Sequence, residues 1–257
     1  MEARKVPAAN GWLWIKQGYW LFKKSPVLWV VLTAIGVAGL IGLAMIPVVG
    51  DPLATLLFPV LMAGFMAGCR ALEMDEELEL AHLFHGFKHN TQQLVTLGGI
   101  NLVCQLLIFG VMMMTGGSAL VAILMSGAQV EDPAVLTQAI AGAGISLLLG
   151  MTLFFVLLMA MQFAPMLVLF DKVAPWPALK ISLQAFLRNA LPLTVYGLLL
   201  LPFAVFASMP MMLGWLILMP VLITSVYAAY RDFFPIPEVP SEIVQSEVVD
   251  PQDNPPV

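Results

Sequence analysis

His82, His85 and His89 are the only histidines in the chain. If they sit on one helix they share an arc of about 60°, and His85 and His89 stand one turn apart. Imidazoles at that spacing suit a divalent metal. Three ligands on one straight helix leave a tetrahedral shell open, so a fourth would have to come from Glu79 or Asp75. The simpler reading makes them the solvated face of an amphipathic helix whose other face carries Leu80, Leu83, Phe84 and Phe87. On that reading no metal or cofactor is expected. A second group, Asn101, Gln105 and Gln162, lies within long apolar runs. Asn101 and Gln105 share a helical face near Cys104. They suit a polar patch on a substrate path, and the simpler account is hydrogen bonding between helices.

Other chemistry is hard to find. The sequence has no nucleophile motif, no glycine loop for phosphate and no catalytic carboxylate pair, so no enzyme is expected. Glu73, Asp75, Glu76, Glu77 and Glu79 read as a solvated linker. The 17 methionines are scattered through apolar runs as core filler. Ion-coupled pumps place ionisable groups at membrane depth. Here the runs Pro26–Gly50, Pro52–Cys69, Thr91–Val130, Pro133–Phe170 and Asn189–Tyr230 hold no charge at all, which argues against such coupling. Cys69 and Cys104 do not make a disulfide framework.

The elements that must position these residues follow from the same runs. The chain has 257 residues, 60% of them hydrophobic and 11% charged, which lies outside ordinary soluble domains. Crossing a hydrocarbon core of about 30 Å takes roughly 20 apolar residues in a helix, and backbone in lipid must bond to itself. The expected fold class is therefore all-α, a polytopic membrane protein with six transmembrane helices in three hairpins, each preceded by an amphipathic surface helix. Surface helices are expected at residues 10–24, at Leu78–Gly98, where the helix bends into a crossing, and from Pro177. On the first, Trp12, Ile15, Gly18, Tyr19 and Phe22 should share a face. Ser25-Pro26 should cap the first crossing. Gly36, Gly39, Gly42, and Gly64 with Gly68, should admit close neighbours. Crossing three should cover about Gln93–Met113 and crossing four Gly150–Phe170. The surplus, about residues 114–149, should form an outer lobe. The last run should break near Ser208-Met209-Pro210.

A repeat supports the hairpin reading. Phe87, His89, Asn90, Leu94 and Gly98 recur at the same offsets as Phe186, Arg188, Asn189, Leu193 and Gly197, and Phe22, Lys24, Ser25 and Trp29 keep the first four of those offsets. Pro59 precedes Arg70 by the interval that separates Pro220 from Arg231. The integral helical domain, 1–234, thus divides into repeat-like units at about 10–72, 78–170 and 176–231. The acidic, proline-rich tail 235–257 is expected to be disordered.

Sidedness comes from the 11 Lys and Arg. All fall before crossing one, between two and three, between four and five, or just after six. The positive-inside rule then puts both termini in the cytoplasm. The formal charge of −5 gives no reason to expect nucleic acid. Expected partners are membrane lipids and a membrane-protein partner or second copy.

The stretch PVLMAGFMAGCRALE, followed by LELAHLFHGFKHN, resembles a group of uncharacterised bacterial inner-membrane proteins. It is also similar to the membrane domain attached to some bacterial glycerophosphodiester phosphodiesterases. The resemblance implies a multi-helix membrane protein and carries over no catalytic residue. Two functions fit the sequence: organising lipid or partner proteins, or uncoupled transport of small or amphipathic molecules.

Overall fold

A computed structural model describes residues 2–119, 122–123, 133–209 and 211–235. Among them every regular element is helical, and six helices are long and apolar enough to cross a membrane. In chain order these are α1 (Asn10–Lys24), α2 (Pro26–Ala44), α3 (Gly50–Glu73), a 3₁₀ segment Leu80–Phe84 continuing into α4 (His85–Lys88), and α5 (Thr91–Met112). A π turn, Met113–Gly117, follows, then α6 (Pro133–Gly142), α7 (Gly144–Gln162), α8 (Ala164–Phe170), α9 (Pro175–Arg188), α10 (Ala190–Ser208) and α11 (Trp215–Phe233). The six spans are α2, α3, α5 with its π turn, α7 with α8, α10 and α11. Their outward residues, such as Leu107, Ile145, Leu148, Leu191 and Phe206, are exposed. In water such a belt would be heavily penalised, and in lipid it is solvated.

The stretch Leu78–Gly98 is not the continuous bending helix that its periodicity suggests. It breaks at His89, and Asn90 takes a left-handed conformation (φ 56°) before α5 starts. Two close approaches cause this. A Cβ on Gly86 would lie 2.2 Å from the Val60 carbonyl oxygen, and one on Gly64 would lie 2.3 Å from that of Leu83. The segment therefore lies backbone to backbone on α3. The Gly64 and Gly68 pair expected to admit a membrane helix instead seats this segment, with Leu78 over Gly68. Asn90 Nδ2 donates to the Val168 carbonyl at 3.0 Å, and Thr91 Oγ1 to that of Gly86 at 3.1 Å, which fixes the break. Leu83 is buried, while Leu80, Phe84 and Phe87 face outward.

The first surface helix is rotated from the expected face. Trp14, Ile15, Gly18, Leu21 and Phe22 are buried, and Trp12 and Tyr19 are exposed. The reason is that α1 packs across α10 and α11 rather than resting on lipid. A Cβ on Gly18 would sit 2.6 Å from the Ser225 backbone nitrogen, and Trp14 meets Tyr196 and Phe233 edge-on. The outer rings carry the lysines: Lys16 over Trp12, Lys23 over Tyr19 and Lys24 over Trp20. This pairing suits the headgroup level.

The surface elements interleave with the hairpins. Each lies on the second helix of a different hairpin: α1 on α11, Leu80–Lys88 on α3, and α9 on α7 and α8. Of those second helices, α3 touches both α8 and α11, and Phe170 of α8 meets Tyr227 and Tyr230 of α11; they are more buried than α2, α5 and α10. At the hinge between surface element and first crossing stand Ser25, Asn90 and Asn189 in turn. Asn189 is fully buried; it accepts from the Val6 N–H at 2.9 Å and donates to the Arg4 carbonyl at 3.0 Å. Ser25 makes no side-chain cap, and the restricted φ of Pro26 starts α2 without one. Of the three glycines in α2 only Gly36 meets a neighbour, the Phe65 ring.

Crossing four starts at Gly144 rather than Gly150. Ser146 reaches the carbonyl of Met112 at 2.8 Å, so α7 is already paired with α5 there. Of the expected lobe at 114–149, residues 120–121 and 124–132 lie outside the described residues, as does the expected tail beyond Pro235. α7 ends at Gln162 because Pro165 follows. The hydroxyl of Ser182 on α9 mends the break, accepting from the Phe163 N–H and donating to the Met159 carbonyl, each at 3.0 Å. α10 ends at Ser208, where the last run was expected to break, and α10 and α11 hold Pro202 and Pro220 internally.

Candidate basic pocket

The inner helices are tied together at the end that carries the basic side chains. Arg231 on α11 donates through Nε to both carboxylate oxygens of Glu73 on α3 at 3.0 Å, and the Tyr227 hydroxyl donates to the same carboxylate. Tyr230 donates to Asp171, beyond α8, at 2.6 Å. Arg70 on α3 stacks over Phe170 of α8 with its guanidinium 5.0 Å from the ring centre. Asp232 gathers Arg4, Asn10 and Trp14 at 2.7, 2.6 and 3.0 Å.

Two pockets open on this end at corresponding places. Each lies between the second helix of one hairpin and the surface element resting on it. The first, about 340 Å³, is bounded by α1, α3 and α11. Arg231 there is paired with Glu73, and Asp232 with Arg4, which lies outside the lining. The second, about 560 Å³, is bounded by α3, the segment 82–90 and the end of α8. Arg70 here occupies the place of Arg231 there, as their shared interval from Pro59 and Pro220 suggests. Arg70, Lys88 and Lys172 line it, with Glu76 as its one carboxylate. None of the three cations has an ion-pair partner among the described residues. With neutral histidines the lining carries a formal excess of two positive charges.

All three histidines line this pocket. The rings of His85 and His89 stack 4.1 Å apart at 17°, and the His82 Nδ1 accepts the Glu79 N–H at 2.9 Å. Asp75 is drawn off to Lys24 and Glu79 caps the 3₁₀ segment. The expected fourth metal ligands are thus engaged elsewhere, and no group of three ligating side chains converges among the described residues. Burial, then the neighbouring His89, His82 and Lys88, lowers the pKa of His85 below the usual imidazole value. The three histidines thus share one lining with Arg70, Lys88 and Lys172.

The intramembrane polar trio is only partly brought together. Asn101 and Gln105 line a groove of about 440 Å³ between α2, α3, α5 and α7. Gln162 is exposed and does not line it, because the bend at Phe163 ends α7 there. Residue-by-residue reading did not single out Arg70, Lys88 and Lys172, which come from two separate connections, Arg70 and Lys88 before α5 and Lys172 after α8. Only the Pro59–Arg70 interval hinted at a special place for one of them.

Fold and surface together define a multi-pass, all-α membrane protein with one basic end. The chain is 31% identical over 260 residues to "Probable inner membrane protein BTH_II0599" of Burkholderia thailandensis, an alignment spanning 93% of this chain and 96% of that protein. It belongs to that family of inner membrane proteins. No protein-family model matches the chain, and no solved structure matches it. The comparisons show no link to the glycerophosphodiester phosphodiesterases, so that likeness rests on short motifs alone.

Proposed function

We propose that the protein is a non-enzymatic inner-membrane protein, both termini cytoplasmic, whose basic end organises membrane lipid or a membrane-protein partner, a second copy included. One observation carries this reading. Every Lys and Arg belongs to the end where α1, Leu80–Lys88 and α9 lie, and the connections at Met45–Val49 and Met211–Leu213 carry none. Cytoplasmic leaflets are anionic, so a basic end there is held at the surface and collects acidic headgroups. The net charge of −5 argues against nucleic acid as a partner. Native mass spectrometry of protein purified in mild detergent tests the proposal. Retention of a defined lipid class or a stoichiometric partner supports it, and a bare monomer refutes it.

A second reading, uncoupled transport of small or amphipathic molecules, draws support from the groove at Asn101 and Gln105. Efflux of an amphipathic dye from proteoliposomes should then fall in the Asn101→Leu, Gln105→Leu double variant. Equal efflux would remove this reading.

A further inference from the structure

We infer that the pocket lined by Arg70, Lys88, Lys172 and the histidines binds the phosphate of an anionic phospholipid headgroup. The inference rests on the lipid-organising reading above and names its ligand and place. The argument begins with the acids nearby. Glu73, three residues beyond Arg70, is turned to Arg231 in the neighbouring pocket. Asp75 is paired with Lys24, Asp171 accepts from Tyr230, and Glu79 caps the segment that follows it. Of the carboxylates nearby, Glu73, Asp75, Asp171 and Glu79 thus have other partners, and Glu76 lines the pocket. The lining of the corresponding pocket sets Glu73 and Asp232 against Arg231, whereas this lining keeps an excess of positive charge with no ion-pair partner among the described residues.

Like charges gathered without a counterion repel one another, and an oxyanion relieves that repulsion. A guanidinium, two ammonium groups and imidazoles arriving from three chain segments surround a tetrahedral anion better than a planar one. The position favours a lipid source. The pocket lies at the ends of the spans α3 and α8. The segment that lines it also exposes Phe84 and Phe87, aromatic rings that settle at the boundary of headgroups and acyl chains.

The test titrates delipidated full-length protein with phosphatidylglycerol, with phosphatidylcholine and with inorganic phosphate, read by native mass spectrometry. The wild type is compared with Lys88→Gln, Lys172→Gln, which leaves Arg70 on Phe170 and changes two exposed side chains. The control, Lys23→Gln, Lys180→Gln, removes the same charge from the same end outside the pocket. The pocket variant should lose phosphatidylglycerol affinity by about tenfold or more, with phosphatidylcholine unaffected and the control near wild type. Equal losses in both variants, or none in either, would overturn the site. Tight binding of inorganic phosphate that displaces phosphatidylglycerol would overturn the lipid assignment. A wild type that retains neither lipid nor partner refutes the broader proposal instead, so the two failures read differently.

Discussion

Replacing Gly86 by Ala puts the seating of the surface segment under direct strain. The new Cβ would meet the Val60 carbonyl oxygen at 2.2 Å, well inside van der Waals contact. That oxygen belongs to α3 backbone beside Pro59, so no side-chain rotation relieves it. The segment must lift by about 1 Å, and the bonds from Thr91 to Gly86 and from Asn90 to Val168 stretch with it. Overpacking of this kind costs about 1–3 kcal/mol, and weakened hydrogen bonds add about 1 kcal/mol. The backbone-entropy gain of Gly→Ala in a helix returns about 0.5–1 kcal/mol. The net expectation is a loss of about 2–3 kcal/mol, or about 5–10 °C in melting midpoint for a chain of this size. Gly39→Ala is the matched control, since no atom lies within 4 Å of its Cβ position, and it should be neutral or slightly stabilising. Both are measured by thermal unfolding in the same detergent. Equal midpoints for the two variants would refute the backbone-on-backbone account.

Three further outcomes follow from single contacts. Asn189→Ala strands the buried Val6 N–H, so it should cost about 2 kcal/mol and free the N-terminal residues to limited proteolysis; unchanged cleavage would count against the clamp. Glu73→Gln leaves Arg231 without its carboxylate, and because both side chains are partly exposed the loss should be only about 1 kcal/mol, shrinking in high salt; a salt-independent loss would point to packing instead. With its pKa lowered by burial and the neighbouring cationic groups, His85 takes up a proton only below the usual imidazole range. It faces Arg70, Glu76 and Lys172 from neighbouring elements and His82, Lys88 and His89 from its own. Protein stability should therefore drop as pH falls through that range, because the unfolded chain takes the proton first, and phosphatidylglycerol affinity should rise; an affinity that is flat with pH would exclude the imidazoles from the site.

The membrane architecture was legible because charge segregation is coarse and robust. Runs such as Asn189–Tyr230 have no alternative to helices in lipid, and Pro26 and Ser208 marked their ends. What periodicity misread depends on contacts far apart in sequence. The phase of α1 is set by Ser225 against Gly18, and the break at Asn90 by Val60 and Val168. The exposure of Gln162 is set by the bend before Pro165. The basic pocket was illegible for the same reason. Its cations stand in two connections, and their lack of partners appears only once Glu73, Asp75 and Asp171 are seen committed to other groups.

The sidedness of the bundle is tested most directly by cysteine accessibility. In a Cys69→Ala, Cys104→Ala background, Val48→Cys and Lys172→Cys place thiols at opposite ends, both at exposed positions. A membrane-impermeant maleimide added to spheroplasts should label Val48→Cys at once and Lys172→Cys only after the membrane is permeabilised. Labelling of Lys172→Cys in intact spheroplasts, with Val48→Cys protected, would contradict the orientation and with it a basic end that faces cytoplasmic lipid.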